Sequence, residues 1–137
     1  MVRIKQSVLD EMIMAAEAQA EECCGFFLGH DEAENRLITK SIKVQNSEPT
    51  NRSFNFKITS WEYLQAESCA EENKLSLLGI YHSHPNYPAI PSEFDRLAAQ
   101  PYFSYIIIST LNGKFDAVRC WQLDTQFQFS EEQFDIH

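Results

Sequence analysis

One stretch constrains this chain more than any other: Tyr81-His82-Ser83-His84-Pro85-Asn86-Tyr87-Pro88-Ala89-Ile90-Pro91-Ser92-Glu93-Phe94-Asp95. It follows an apolar run, Leu77-Leu78-Gly79-Ile80, that reads as a strand. Residues two apart on a strand share a face, so His82 and His84 project together. Two imidazoles at a strand's end are a ready pair of zinc ligands. Asp95 is expected to swing back as an oxygen ligand and leave the fourth tetrahedral position for water, as catalytic zinc sites require. The stretch therefore points to a metal hydrolase.

Each part of the pattern also has a plainer explanation. Histidines fall two apart by chance, so His82-x-His84 alone says little. Ser92 and Asp95 fit the N-cap and reciprocal partner of a short helix. The whole series is specific: His-x-His, seven residues, Ser, two residues, Asp.

The flanking chain reads as alternating helices and strands. Ser7 to about Ala20 is expected to be a helix capped by Ser7, with Leu9, Ile13, Ala16 and Ala20 on one buried stripe. After Glu21-Glu22, the run from Cys23 to Gly29 reads as a buried strand, with Glu21 a solvated acid at the helix end. His30 to Asn35 is turn-like, and Arg36 to Val44 forms a hairpin with the preceding strand. Phe54-Asn55-Phe56-Lys57-Ile58 alternates as a short strand. Thr59-Ser60-Trp61-Glu62 is a capping box opening a helix to about Asn73, on which Trp61, Leu64 and Ser68 are expected to pack.

Beyond the histidine segment, Tyr105 to Ser109 reads as a strand buried on both faces. Asn112-Gly113 marks a hairpin, and Phe115 to Leu123 and Phe127 to Phe129 follow as strands. The acidic tail from about residue 131 is expected to fray. With no repeat or linker, residues 1–137 read as one α+β domain.

Charge and hydropathy exclude some functions. Twenty acidic against eleven basic residues give a formal charge of −9, which argues against nucleic acid, whose phosphates demand a basic footprint. A basic protein partner fits, as does charge that serves only solubility. No apolar run approaches the roughly 20 residues of a membrane span. The N-terminus lacks the apolar core of a secretory signal, so a cytoplasmic location with reduced cysteines is expected. Cys23 or Cys24 could act as a nucleophile beside a histidine or as a soft metal ligand, but in a buried strand a cysteine behaves as a small hydrophobe.

Together, His82-x-His84-x7-Ser92-x2-Asp95 and the upstream Glu22-Cys23-Cys24-Gly25-Phe26-Phe27-Leu28-Gly29 resemble the JAMM (MPN+) metalloprotease family over nearly the whole chain. The family spacing, a glutamate two residues before Cys-Gly, selects Glu22 over Glu21. The resemblance implies a JAB1/MPN-like fold, a twisted and mostly antiparallel sheet flanked by helices with cytidine-deaminase-like layering. It implies that His82, His84 and Asp95 hold one Zn2+, that Glu22 is the general base, and that Ser92 donates a hydrogen bond to the developing oxyanion. It also implies cleavage of the amide or isopeptide bond after the C-terminal Gly-Gly of a small ubiquitin-like, sulfur-carrier-type protein. Nine residues between Asp95 and Tyr105 leave no room for an insertion, so the chain is similar to the minimal standalone prokaryotic form. Two other readings stay open: a peptidase of a bacterial ubiquitin-like tagging system, and a noncatalytic interaction scaffold.

Overall fold

The strand leading to the histidines outruns its apolar stretch. In the structure, a computed structural model that describes residues 1–137, it spans Ser76–Pro85 and carries both histidines. In chain order the elements are β1 (Val2–Ile4), α1 (Gln6–Glu17), β2 (Cys24–Glu32), β3 (Asn35–Val44), α2 (Ser60–Glu72) and β4 (Ser76–Pro85). They continue with α3 (Glu93–Ala98), β5 (Ser104–Leu111), β6 (Lys114–Leu123), β7 (Phe129–Glu132) and β8 (Phe134–Ile136). The strands form one sheet in the order β7-β6-β5-β4-β2-β3-β1-β8. β4 lies in its interior, antiparallel to β2 and parallel to β5. This position explains why every residue from Leu78 to His84 is buried, as expected of a strand covered on both faces.

The sheet separates two apolar layers. On one face Val8, Leu9, Met12 and Ala16 of α1 meet Phe27, Tyr81, Ile106 and Ile108. On the other, Ala66 and Ala70 of α2 meet Phe26, Leu28, Ile80 and Tyr105. An irregularity where Phe27 opposes Gly79 and Leu28 opposes Leu77 inserts Leu78 as an extra residue. The bulge resets the alternation, so Leu78 and Tyr81 join the α1 layer while Ile80 joins the α2 layer. His82 and His84 keep the parity of Ile80. Gly79 is required here, because a Cβ on it would lie 1.8 Å from the Ser104 carbonyl oxygen.

Several expectations are corrected. Ser7 does not cap α1: the N-cap is Lys5 without a side-chain bond, and the Gln6 amide donates to the carbonyl of His137. Ala20 lies beyond the helix and is exposed. The tail is not frayed, because β8 pairs in parallel with β1 and Asp135 accepts a bond from Arg3 at 3.1 Å. The β2–β3 turn shrinks to Ala33 and Glu34 as both strands run through the polar residues. Trp61 and Leu64 do not pack; they are 66% and 58% exposed. Phe54 to Ile58 belongs to no strand. Lys57 bonds to Ser47 and Asn46, while the amide and carbonyl of Phe56 and of Ile58 have no partner in the protein. That segment alternates like a strand but lacks a neighbour to complete it. No helix is long and apolar enough to cross a membrane, and all four cysteines are free, with Cys23, Cys24 and Cys120 buried.

Candidate metal centre

Strand register alone brings the distant residues together. Cys24 pairs with His82 across β2 and β4, and one step further Cys23 and Ser83 exchange bonds, Cys23 N–H to Ser83 Oγ at 2.8 Å and Ser83 N–H to the Cys23 carbonyl at 3.1 Å. The antiparallel count then sets Glu22 opposite His84. The Glu22 backbone is pinned from outside, its amide donating to the Arg52 carbonyl at 2.8 Å and its carbonyl accepting from Asn46 Nδ2 at 3.0 Å. Glu22 is fully buried. Glu21 is exposed and pairs with Arg52 at 3.1 Å, as expected of a solvated acid.

Asp95 arrives from the first turn of α3. Ser92 Oγ accepts the Asp95 amide at 3.0 Å, and Asp95 Oδ2 accepts the Ser92 amide at 2.9 Å. The same Oδ2 lies 3.2 Å from Nε2 of His82 and 3.2 Å from Nε2 of His84, and the two Nε2 atoms are 3.1 Å apart. The capping reading and the convergence reading are therefore both satisfied by one oxygen. Asp95 is only 5% exposed, and its Oδ1 has no partner.

The second contacts of the rings set their chemistry. His84 Nδ1 lies 2.7 Å from the Pro88 carbonyl. A carbonyl only accepts, so Nδ1 carries the hydrogen and the Nε2 lone pair points inward, as a metal-ligating imidazole requires. The ring stacks on Tyr87 at 4.0 Å between centroids, and His82 stacks on Phe56 at 4.5 Å. Tyr87 also donates its hydroxyl to Glu22 Oε2, while Glu22 Oε1 is buried without a partner. A Glu22 oxygen and ring nitrogens of His82 and His84 all lie within 4.8 Å of one another.

Environment drives the two buried carboxylates apart. Burial pushes the Glu22 carboxyl up to about 7, against the smaller downward pulls of His82 and the Tyr87 hydroxyl. Burial also raises Asp95, but the His82 charge, bonds from both imidazoles and the Ser92 amide outweigh it and hold the carboxyl well below its ordinary range. Burial lowers His84, helped by the charge of His82. Burial opposes the charge of His82 as well, yet Asp95 and Glu22 beside it leave its affinity for a proton raised.

The donor set fits a small divalent cation. Three donor atoms, two neutral-capable imidazole nitrogens and one carboxylate oxygen, form a near-equilateral triangle of 3.1–3.2 Å edges. That is close to the edge of a tetrahedron of bonds about 2.0–2.1 Å long. The unpartnered Glu22 Oε1 and Asp95 Oδ1 are buried polar atoms that nothing in the protein satisfies, an uncommon arrangement away from a functional site. Ser92 stands beside the triangle with its hydroxyl hydrogen free of an acceptor. Beside His82 and Asp95 opens a cavity of about 410 Å³, lined among others by Phe56, Ile58, Tyr63 and Phe94. Sequence reasoning passed over Tyr87, Phe56 and the Pro88 carbonyl. Tyr87 was visible between the histidines and Ser92, but nothing local ties it to Glu22.

Residues 5–124 match the family model described as prokaryotic homologs of the JAB domain. The chain is 30% identical over 128 residues to a protein named desampylase from Pyrococcus furiosus, covering 93% of this chain and 85% of that one. It is 43% identical over 60 residues to a probable TtuB-protein conjugate cleaving protease from Thermus thermophilus, covering 44% of this chain and 37% of that one. Among solved structures, one from Desulfitobacterium hafniense matches with a TM-score of 0.87 at 27% identity, covering 100% of this chain and 93% of that one. A JAB1/MPN domain protein from Archaeoglobus fulgidus matches in fold, with a TM-score of 0.64 at 15% identity, over 98% and 97% of the two chains.

Proposed function

Because this chain belongs to the prokaryotic JAB-domain family and has its JAB1/MPN fold, we propose that it is a zinc-dependent peptidase. Its bond is the amide or isopeptide bond after the C-terminal Gly-Gly of a small ubiquitin-like protein. One observation carries the reading: Nε2 of His82, Nε2 of His84 and Oδ2 of Asp95 converge within 3.2 Å, with a Glu22 carboxylate oxygen within 4.8 Å of the imidazole nitrogens. Bound to these three atoms, Zn2+ supplies Lewis acidity that acidifies a water and polarises a carbonyl.

The protein's own groups do the rest. The Glu22 carboxylate takes a proton from the attacking water as the new C–O bond forms, then delivers it to the amine nitrogen as the C–N bond breaks. Burial, which raises the carboxyl's affinity for a proton, suits it to both directions of that transfer. The Ser92 hydroxyl, held at the N-terminus of α3, donates to the carbonyl oxygen as it gains negative charge. The open backbone groups of Phe56 and Ile58 offer an edge to which an extended tail adds as a strand. Glycines suit a chain that must pass close to His82 and Asp95, and the apolar cavity beside them suits a larger side chain upstream.

The names of the two relatives support release of such a protein from a conjugate; trimming of its precursor breaks the same kind of bond, and the same active site serves both. A purely scaffolding role is disfavoured because no member of the donor set is missing. Metal content of the wild type and of His84→Ala, purified without chelator, is the first test. About one zinc per chain in the wild type, little in the variant, and cleavage of a Gly-Gly-extended carrier by the wild type alone are expected. No zinc in either protein after zinc is supplied would overturn the reading.

A further inference from the structure

The loop joining β4 to α3 carries no charged residue, yet it is among the best-anchored irregular segments of the chain. Asn86, at φ +63°, turns the chain in the left-handed region that asparagine tolerates. Its amide donates to the Thr110 carbonyl at 2.7 Å, and its Oδ1 accepts the Asn112 amide at 2.8 Å. Ser109 Oγ donates to the Tyr87 carbonyl at 2.9 Å, and Trp121 Nε1 to the Ala89 carbonyl at 3.1 Å. These anchors come from β5, the β5–β6 turn and β6, so the sheet itself holds Tyr87 in place. The loop's own hydrogen bonds need no tyrosine at that point. A smaller residue would leave all four bonds intact, since none uses the Tyr87 side chain.

That side chain meets three groups, one of them the Phe54 ring at 6.0 Å between centroids and 42° between planes. Its ring covers the His84 imidazole at 4.0 Å and 15°, and its hydroxyl donates to Glu22 Oε2. Glu22 needs such a partner. It is a long side chain whose carboxylate is otherwise unheld, since its other oxygen has no partner and its remaining bonds involve the backbone. Ordering a free glutamate costs rotamer freedom. A donor fixed by the sheet removes that freedom in advance. It also decides which oxygen is engaged, leaving Oε1 without a partner in the protein.

We propose that Tyr87 is a positioning residue: its hydroxyl holds the Glu22 carboxylate, and its ring holds His84, so that the carboxylate stands ready beside the zinc ligands. The inference rests on the peptidase reading given above. The loop thereby orients a metal ligand and the general base, His84 through Tyr87 and Pro88 and Glu22 through Tyr87.

The test compares wild type, Tyr87→Phe, Glu22→Gln and the double variant. Tyr87→Phe keeps the ring over His84 and removes only the hydroxyl. About one zinc per chain, an unchanged KM for a Gly-Gly-extended carrier, and a kcat lower by about 10- to 100-fold are expected. In the Glu22→Gln background the same change should cost nothing further. An unchanged kcat, or an equal further loss in the Gln background, overturns the proposal; the latter would mean the hydroxyl acts on substrate itself. A crystal structure of metal-free Tyr87→Phe supplies a readout independent of turnover. A Glu22 carboxylate swung away or split between conformers supports positioning, and one that stays in place overturns it. If the wild type binds zinc but cleaves no Gly-Gly substrate, the substrate reading fails alone, and the crystal structure still decides the role of Tyr87.

Discussion

Two helices of this protein begin with the same local device and end with different roles. At α2, Thr59 Oγ1 accepts the Glu62 amide at 3.3 Å, and Glu62 Oε1 accepts the Thr59 amide at 3.3 Å. At α3, Ser92 and Asp95 make the equivalent exchange at 3.0 and 2.9 Å. Both are capping boxes, each satisfying two amides that a helix start leaves open. The Thr59 box faces solvent, and Glu62 bonds only within it, accepting the Thr59 hydroxyl at 2.9 Å as well. The Asp95 carboxylate is buried, and the oxygen that caps is the oxygen that meets both imidazoles. A capping box specifies where a helix starts; its chemistry is specified by what the sheet places across from it.

Breaking the second partner of each box should separate the two most sharply. Asp95→Ala removes a cap and the carboxylate of the donor triangle, so zinc content and peptidase activity should both fall to background. Glu62→Ala should leave both intact and lower stability by no more than about 1 kcal/mol. Zinc analysis, turnover and denaturant unfolding of the pair check this.

The next largest effect belongs to the carboxylate that caps nothing. Glu22→Gln should retain zinc while activity falls by about 10²- to 10⁴-fold. It should also change the pH dependence of the metal-free protein. Glu22 titrates at about 7 in the folded state against 4.5 ordinarily, so its favourable contribution is present below about 4.5 and lost as the pH rises through 7. Glutamine cannot ionise. The variant should therefore gain about 3 kcal/mol on the wild type between pH 4.5 and pH 8, measured by urea unfolding of both at each pH. Asp95, depressed rather than raised, has the opposite sign and loses its stabilising contribution in acid.

The first partner of each box sharpens the comparison further. Glycine replaces serine at an N-cap at a cost of only a few tenths of a kcal/mol, whereas alanine costs about 1. If Ser92 only caps, Ser92→Gly should be almost as active as the wild type. If its hydroxyl also donates to the substrate oxygen, both Ser92→Gly and Ser92→Ala should lose about 10²- to 10³-fold in kcat; this second outcome is expected. The smallest effect should be at α2, where Thr59→Gly and Thr59→Ala differ from each other in stability alone.

Local signals in the sequence were read well where the deciding contacts were also local. The alternation through His82 and His84, both capping boxes and the Asn112-Gly113 turn, with φ of 52° and 81°, depend on neighbours a few residues away. Reading failed where the deciding contact was distant. Ser7 looked like a cap, but the amide at the start of α1 is met by the carbonyl of His137. The acidic tail looked unstructured, but β1 supplies it with a parallel neighbour. Phe54 to Ile58 alternates like a strand and pairs with none, because alternation records which side chains share a face and not whether another backbone lies alongside. Trp61 and Leu64 followed helical spacing onto the exposed side of α2, where α2 buries only small alanines.

What the sequence determined by itself is the set of groups available for chemistry and their local pairing: two imidazoles sharing a strand face, a serine and an aspartate sharing a helix start, and a glutamate ahead of a buried strand. Tertiary structure decided the rest. The bulge at Leu78 decided which face of the sheet carries the histidines, and the β2–β4 register decided that Glu22 and not Glu21 stands opposite His84. The anchored loop decided that Tyr87 reaches Glu22. The physical reason is range. Spacing fixes direction within one element, but the distances of about 3 Å on which ligation and proton transfer depend arise between elements far apart in the chain.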